Sequence, residues 1–430
     1  MLDHPTENNE YNLSVSHLAE NIIGSEIIKL AGEVNEKIKA GDKIYNLTIG
    51  DFNPKVFPIP AGLKQNIIEA YLEDHTNYPA ADGMLELRNA VCHLLRERGG
   101  LEFANDEIVI AGGARPIIYA IYKAIVDPGE NVIFPVPSWN NNHYTYLCNA
   151  RSVVIDARPE NNFMPCAADI APHIEKASLV SLCSPQNPTG TVFTKEALEE
   201  ICDLILNENH RRGRDAKPVY LLFDQIYWAL TYGDVQHFNP VSLRPEMKKY
   251  TLFVDGISKS LAATGVRVGW TMAPRKIAEK IKAILSHVGA WAPKAEQMAT
   301  AKFLSNLDQY DLFLSGQKQK IHLRLQGFYD GFMRLKAKGY SVDAIPPQAA
   351  IYLTVQFALH GKRTPEGKIL DTTRDITKYI LDEAKVAVVP FYAFGAAENS
   401  NWYRLSVGTC GPEDVSDAIE GLSLALEKLI

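Results

Sequence analysis

The 430-residue sequence predicts an α/β fold, with a mostly parallel seven-stranded sheet in a large domain and a smaller α+β domain formed by both termini. Two observations support this prediction. Short runs rich in Val, Ile and Leu recur through the middle of the chain, and such continuous apolar runs are typical of strands buried on both faces of a parallel sheet. Helical stretches separate several of these runs, and this alternation indicates a layered α/β domain.

Seven strands of the large sheet can be assigned from the apolar runs. They cover EIVIA (107–111), NVIFPV (131–136), SVVIDA (152–157), LVSLCS (179–184), VYLLFD (219–224), TLFVDG (251–256) and VGWTMA (268–273). Between them, residues 115–126 and 194–209 are predicted helices, and Thr194 is suited to cap the second helix through its hydroxyl. We expect the charged residues 208–218 to form a solvated loop.

Both ends of the chain differ from this alternating pattern. Residues 14–41 are predicted to form one amphipathic helix, and residues 316–338 a long helix of mixed charge. The C-terminal part adds short β runs (AIYLTV, VAVVP and YRLSVG) and two helices (TTRDITKYILDEA and PEDVSDAIEGLSLALEKL). We therefore divide the chain into an N-terminal arm with part of the small domain (1–62), a large domain (63–300) and a C-terminal small domain (301–430).

Composition argues against several classes of protein. The net charge of −7 and the pI of about 5.9 disfavour a nucleic-acid binder that works through a basic surface. No apolar run approaches the ~18 residues that a membrane span requires. The polar, acidic N-terminus has no export-signal pattern, and the six scattered cysteines include no Cys-x-x-Cys pair. We therefore expect a cytoplasmic protein with reduced thiols, no metal site and no membrane contact.

Polar residues follow the predicted strands at their carboxyl ends, where ligands bind in open α/β sheets. Gly113, Ala114 and Arg115 follow the first strand, where backbone N–H groups at a helix start can hold a phosphate, although a plain tight turn would leave the same pattern. Trp139 follows the second strand and is either a stacking surface for a planar ring or a core aromatic. Asn187 lies in SPQNPTG, whose prolines and glycine predict a rigid loop that aims the amide.

The strands further along the chain end in groups that suit one cofactor. Asp224 is either a partner for a protonated ring nitrogen or a structural hydrogen-bond acceptor, because a carboxylate after an apolar strand is costly unless it is paired. Lys259 is either a desolvated lysine able to form a Schiff base or, as for most single lysines, a surface residue. With Tyr227 and Arg267, these groups match pyridoxal 5'-phosphate (PLP), an aromatic aldehyde with a ring nitrogen, a phenolic oxygen and a phosphate.

Four motifs carry a resemblance to a known family. SPQNPTG, FDQIY, SKSLAATGVRVGW and WYRLSVG occur in the order and with similar spacing to those of the class I/II, fold-type I PLP-dependent aminotransferases. The chain is similar to this family, and in particular to aspartate aminotransferases, over essentially its whole length. The resemblance implies an enzyme that moves an amino group between an α-amino acid and a 2-oxo acid by a ping-pong mechanism, with aspartate and 2-oxoglutarate as the first expectation.

The same resemblance implies roles for individual residues. Lys259, Asp224 and Tyr227 would be catalytic: Lys259 would hold PLP as a Schiff base, Asp224 would bind the pyridine nitrogen, and Tyr227 would bind the phenolic oxygen. The other implied contacts are Asn187 at the phenolic oxygen and the substrate; Trp139 stacked on the ring; Gly113, Ala114, Arg115, Ser258 and Arg267 at the phosphate; Gly50 and Arg404 at the substrate; and Tyr78 at the phosphate of a partner subunit, which implies a homodimer.

Three departures from the family pattern leave the substrate open. Gly256 occupies a position where Ser or Thr is frequent, Gln225 replaces the commoner Glu, and Arg115 stands where many relatives have a neutral residue. The alternatives are a PLP-dependent lyase or synthase, an aromatic or other amino-acid transaminase, and a non-catalytic protein that keeps the fold. An acidic substrate would need a second cation, for which Arg115, Lys294 and His287 are the candidates.

Overall fold

Strands and helices alternate through the middle of the chain in the order that the sequence predicts. The structure is a computed structural model that describes residues 14–22, 24 and 26–430. The strands in this part of the chain are β1 (Tyr45–Asn46), β2 (Ile108–Ala111), β3 (Asn131–Val136), β4 (Arg151–Asp156), β5 (Ala177–Cys183), β6 (Tyr220–Asp224), β7 (Thr251–Gly256), β8 (Gly269–Met272), β9 (Val342–Ala344), β10 (Tyr352–Phe357), β11 (Val386–Ala387), β12 (Val389–Pro390) and β13 (Trp402–Ser406).

Helices connect and cover these strands. They are α1 (His17–Glu20), α2 (Glu26–Lys39), α3 (Ala61–Leu72), α4 (Leu85–Leu94), α5 (Ala114–Ile125), α6 (Asn141–Leu147), α7 (Ala167–Ile170), α8 (Lys195–Arg212), α9 (Pro240–Leu243), α10 (Ile257–Ser260), α11 (Arg275–Val288), α12 (Lys294–Leu304), α13 (Leu307–Ala337), α14 (Thr373–Tyr379) and α15 (Asp414–Glu427). None of these described helices is long and apolar enough to cross a bilayer.

Strands β2 to β8 form one seven-stranded sheet in the order β2-β8-β7-β6-β5-β3-β4. Strand β8 is antiparallel to both of its neighbours, and the other neighbouring pairs are parallel. Cys183 lies opposite Asp224 and Asp224 opposite Val254, so the carboxyl ends of β5, β6 and β7 meet at one edge. This confirms the predicted fold class, and every strand of the sheet lies within two residues of its predicted bounds.

Both faces of this sheet are buried, as continuous apolar strands predict, except along the edge strand β4, where Ile155 is the one buried residue and Val154 is exposed. In β7, Phe253 faces one hydrophobic core, whereas Leu252 and Val254 face a second core on the other side. All three side chains are fully buried. Because apolar side chains cover both faces, a ligand can reach this part of the sheet at the ends of its strands.

The smaller part of the molecule joins the two ends of the chain. Strands β9, β10, β12 and β13 form an antiparallel sheet in the order β12-β13-β10-β9, and β1 pairs in parallel with β11. This arrangement confirms that both termini contribute to a small α+β domain. The boundaries between residues 62 and 63 and between 300 and 301 stay a prediction, and residues 1–13 of the predicted N-terminal arm lie outside the described residues.

Helix α13 connects the two hydrophobic cores. Its first residues, Leu307 and Tyr310, pack into the core of the large sheet, and Ile321 packs into the core of the small sheet. The helix begins nine residues before the predicted position 316, because the side chain of Asn306 accepts a hydrogen bond from a backbone N–H of its first turn at 3.2 Å.

Two expectations for other helices are wrong. Residues 14–41 form the two helices α1 and α2 rather than one, since Asn21 ends α1 outside the helical conformation and Gly24, a poor helix former, follows it. Residues 208–212, expected in a solvated loop, continue helix α8. There Glu208 is buried and pairs with the two following arginines, each at 2.8 Å.

Candidate active site

The residues that the sequence singles out meet where β5, β6 and β7 end. A cavity of about 580 Å³ lies at this edge of the large sheet. Eleven of the thirteen predicted site residues line it, namely Gly50, Ala114, Arg115, Trp139, Asn187, Asp224, Tyr227, Ser258, Lys259, Arg267 and Arg404.

Lys259 enters this cavity from α10, the short helix that follows β7 directly. Its Nζ donates a hydrogen bond to the backbone carbonyl of Gly50 at 2.7 Å. Removal from water lowers the pKa of Lys259 to about 8; Asp51 opposes this shift, and three nearby arginines add to it. A lysine with this pKa has an accessible neutral amine near physiological pH, the form that attacks carbonyls and accepts protons.

Asp224 ends β6 at the cavity wall. Burial raises its pKa to about 6, against the lowering effects of a backbone hydrogen bond and of Lys259. Its Oδ1 accepts a hydrogen bond from the backbone N–H of Ile226 at 3.0 Å, and no side chain in the described part of the chain donates to it. The carboxylate therefore has hydrogen-bonding capacity left for a cationic donor in the cavity.

Two phenols lie side by side in the wall of the same cavity. The hydroxyls of Tyr227 and Tyr352 are 2.7 Å apart, and their rings meet edge to face. Burial raises the pKa of Tyr227 well above its usual value, so this group is a neutral hydrogen-bond donor at physiological pH.

Arg404 is a nearly fully buried cation that lacks an acidic partner. Its Nη1 donates to Asn187 Oδ1 at 3.0 Å and its Nη2 to the carbonyl of Thr48 at 2.6 Å, while the buried Nε has no partner. No carboxylate that the structure describes lies within ion-pair distance of it. Because a buried guanidinium stays charged, this arrangement favours an anion from outside the chain.

The N-terminus of α5 and Arg267 form a cradle for an anion. Arg267 adopts a left-handed backbone conformation (φ 62°), and its guanidinium donates to the carbonyls of Thr264 and Gly112 at 2.6 and 2.8 Å. A Cβ at Gly113 would collide with this guanidinium, so the glycine gives Arg267 its place beside the helix start. Unpaired N–H groups, the helix dipole and an arginine together suit a phosphate.

The SPQNPTG segment is a closed loop that holds Asn187. Gln186 N–H donates to Thr191 O at 2.9 Å, and the Gln186 amide donates to Pro137 O at 2.6 Å. Gly190 lies against the backbone of Tyr352 in β10, where no side chain would fit. The loop is thereby fixed to both sheets, which directs the Asn187 amide towards Arg404 and the cavity.

Arg115 and Trp139 form one wall of the cavity. The guanidinium carbon of Arg115 lies 5.1 Å from the centre of the Trp139 ring, which is cation–π distance. The Trp139 ring packs against Phe394 with ring centres 6.5 Å apart. Arg115 forms no ion pair with any described residue, so it adds a cation available to a ligand to the three that Lys259, Arg267 and Arg404 bring to the cavity.

Other predicted residues lie outside the cavity. Gly113 is beside it, at the start of α5. Tyr78 is 81% exposed and packs on Trp291 in a separate surface depression, with ring centres 5.3 Å apart. Lys294 borders that depression and donates to Asn77. His287 lies on α11, away from the cavity. Of the three candidates for a second cation, only Arg115 lines the cavity.

Sequence reasoning missed several residues of the cavity wall. Asn141 lies at the start of α6, where its Oδ1 accepts hydrogen bonds from Ser181 and Tyr122 at 2.9 and 3.0 Å. Tyr352 comes from the small sheet, and no local motif marks either residue. Asp51 follows Gly50 directly and accepts a hydrogen bond from Thr264 at 2.5 Å. Thr264 lies in the SKSLAATGVRVGW motif, so both Asp51 and Thr264 could have been predicted from sequence positions already assigned to the site.

Gly256 has a structural explanation that the sequence did not offer. A Cβ at this position would lie 2.8 Å from the Cα of Gly269 and 2.8 Å from the carbonyl of Val268. A serine or threonine would therefore force β7 and β8 apart. Ser258, buried on α10, is the hydroxyl that remains at this end of the cavity.

The fold is that of one large enzyme class. The chain belongs to the family of class I and II aminotransferases, whose family model matches residues 42–422. It is therefore a transaminase, as the sequence predicts.

Individual relatives sharpen this assignment. The aspartate aminotransferase of Rhizobium meliloti (strain 1021) is 29% identical over 408 residues, which cover 94% of each chain. A probable aspartate/prephenate aminotransferase of Rhizobium leguminosarum bv. phaseoli is 27% identical over 388 residues, 90% of this chain and 92% of the relative. The crystal structure of the Rhizobium meliloti aspartate aminotransferase has a TM-score of 0.88 at 28% identity, with 97% of this chain and all of that chain covered.

Proposed function

We propose that the chain is a PLP-dependent aminotransferase in which Lys259 holds the cofactor. The observation that carries this proposal is the position of Lys259, whose pKa is lowered to about 8, in one cavity with the carboxylate of Asp224 and the unpaired Arg404. When bound, PLP supplies an electron-withdrawing ring that stabilises the carbanion formed at the Cα of an amino acid.

The donors around the cavity fit this cofactor. Asp224 has hydrogen-bonding capacity for a protonated ring nitrogen. Tyr227 and Asn187 would donate to the phenolic oxygen, and Trp139 would stack on the ring. The cradle at the start of α5, with Arg267 and the hydroxyl of Ser258, would hold the phosphate. Each group of the cofactor thus has a partner of matching charge.

Two residues of the chain act on the substrate. Arg404 binds the α-carboxylate of the amino acid, which supplies the anion that this buried cation lacks. When it is not bonded to the cofactor, the Lys259 amine acts as a general base and removes the proton from Cα. It then acts as a general acid and returns a proton to the cofactor's aldehyde carbon. A ping-pong cycle follows, in which a 2-oxo acid takes the amino group in the second half.

Aspartate with 2-oxoglutarate is the proposed substrate pair. The names of the two relatives given above support it, and so does Arg115, a cavity cation that can meet a second carboxylate. The same wall carries Ile27, Ile49 and Ile118, which would line an aromatic or aliphatic side chain. A panel of amino donors decides between these substrates.

We also propose that the protein forms a homodimer and is located in the cytoplasm. Tyr78, with Leu72 79% exposed on the preceding helix, forms part of an apolar surface that a second copy would cover. In such a dimer Tyr78 reaches the phosphate of the partner's cofactor. The six cysteines are all free thiols, as expected of a protein kept in a reducing compartment. Sedimentation of the purified protein tests the dimer.

The function is tested with purified protein reconstituted with PLP. We expect aspartate and 2-oxoglutarate to give the highest kcat/KM in a panel that also contains phenylalanine, leucine and alanine. Donor consumption should require the 2-oxo acid. Consumption of the donor with elimination products and no need for an acceptor would instead identify a lyase, and absence of PLP uptake would refute the proposal.

A further inference from the structure

Asp255 is a buried acid that the proposed reaction does not use. It lies on β7, four residues before Lys259, and is 1% exposed. Its Oδ2 accepts a hydrogen bond from Trp228 Nε1 at 2.8 Å, and its Oδ1 accepts from the backbone N–H of Gly256 at 2.7 Å. These two hydrogen bonds fix the buried Asp255 carboxyl group in one position and connect it to Trp228.

The loop that Asp255 holds, residues 225–228, follows one proposed cofactor contact, Asp224 at the end of β6, and contains another, Tyr227. At the start of this loop, the Gln225 N–H donates to the carbonyl of Val254 in β7 at 2.9 Å. At its end, Trp228 donates to Asp255. Both ends of the loop are therefore bonded to the strand that leads to Lys259.

We propose that Asp255 is a positioning residue that fixes the 225–228 loop against β7 through its hydrogen bond with Trp228. The loop begins directly after Asp224 and contains Tyr227, so this bond sets the positions of both residues relative to Lys259. This inference rests on the proposed function, because it concerns the distances among three cofactor contacts. Small displacements of such groups lower the rate strongly even where every residue is still present.

Gln225 fits the same arrangement. Burial raises the pKa of the Asp255 carboxyl to about 8, against the lowering effects of the Gly256 N–H and of the Gln225 and Trp228 side chains, and Asp224 raises it further. Tyr310 of α13 is the other titratable group against Asp255. An amide can donate to a charged Asp255 or accept from a neutral one, whereas the glutamate that is common in the family would place a second acid there.

Three variants of the PLP-loaded enzyme test the role of Asp255. Trp228→Phe removes the donor and Asp255→Ala removes the acceptor. Asp255→Asn keeps one acceptor oxygen. We expect kcat to fall by about 10-fold in the first two variants with little change in KM, and by less in Asp255→Asn.

A second readout is independent of turnover. The pH midpoint of the cofactor's absorbance should rise in Trp228→Phe, because a less well placed Tyr227 donates more weakly to the charged phenolic oxygen. Trp402→Phe is the control: Trp402 lies on β13 of the small sheet and packs against Phe163 with ring centres 5.5 Å apart, so this change should lower the melting temperature without moving the midpoint.

Unchanged kcat and an unchanged midpoint in Trp228→Phe would overturn the positioning role, even if Asp255→Ala fails to fold. Failure of the unmodified protein to take up PLP would overturn the proposed function and the role of Asp255 with it. An unmodified enzyme that binds PLP and transaminates, beside a Trp228→Phe variant with the shifted midpoint, would support both.

Discussion

The two sides of the cavity are built differently. The side proposed for the cofactor comes from consecutive strand ends of one sheet, and backbone meets backbone there: a Cβ at Gly256 would lie 2.8 Å from Gly269, and a Cβ at Gly269 would lie 2.8 Å from Gly113. The side proposed for the substrate comes from distant parts of the chain, such as Ile27 of α2 and Arg404 of β13. Along the strand ends the backbones leave no room for a new side chain, whereas Ile27 and Arg404 contribute to the cavity through their side chains. We therefore expect substrate choice to depend on the second side.

The strongest test of the cofactor side is Lys259→Ala. This change removes both the amine that binds the cofactor and the proposed general base, so we expect transamination to fall by about 10⁴-fold or more. Single-turnover absorbance changes with each substrate measure the loss. Appreciable turnover in this variant would show that another residue carries the chemistry.

The substrate side is tested at its buried cation. In Arg404→Ala the α-carboxylate loses its partner, and we expect KM for the amino acid to rise by about 100-fold, in line with the loss of a buried charge-assisted pair. The corresponding amine without a carboxylate is the control substrate, and its kinetics should change little. An equal loss for both substrates would indicate damage to the cofactor side instead.

Two glycines compare a close contact between strands with an open helix surface. Gly256→Ala inserts a methyl group between β7 and β8, and we expect it to lower the free energy of unfolding by about 1–3 kcal/mol. Gly32→Ala lies on α2, where nothing is within 4 Å, and should be neutral or stabilising. Chemical denaturation of both variants measures the difference, and equal effects would contradict the contrast in packing.

The smallest predicted effect concerns substrate choice. Arg115→Leu removes a cavity cation that has no ion-pair partner among the described residues, and it keeps a large side chain over Trp139. We expect kcat/KM for aspartate to fall by about 10-fold, and that for leucine or phenylalanine to stay the same or rise. A parallel fall for all donors would assign Arg115 to the phosphate rather than to the substrate.

The same contrast explains what the sequence could predict. Asp224 and Lys259 follow long apolar strands directly, so the edge at which they meet follows from strand order alone. Tyr352 lies in β10, where it pairs with Ser406 of β13, and nothing in its neighbourhood in the sequence signals this. The break after α1 at Asn21 and the early start of α13 at Asn306 depend on single capping and helix-ending residues, which periodicity does not resolve.

Gly256 shows a further reason for such gaps. In the sequence, Gly256 is noticeable because a Ser or Thr hydroxyl is expected at its position. In the structure, the glycine is needed because the backbones of β7 and β8 are in contact there. The partner strand β8 decides which side chain is possible there, and that partner is known only once the strand order is known. Steric exclusion between strands leaves no local pattern in a sequence.

Helix α13 has a consequence for how the molecule unfolds. Its 31 residues span about 46 Å at the usual helical rise, its two ends are buried in different hydrophobic cores, and Gln317 between them donates to the carbonyl of Lys259 at 3.0 Å. Neither core can open without breaking contacts of this one helix. The two domains should therefore exchange their amide hydrogens as a single cooperative unit, with the most protected amides in the middle of α13.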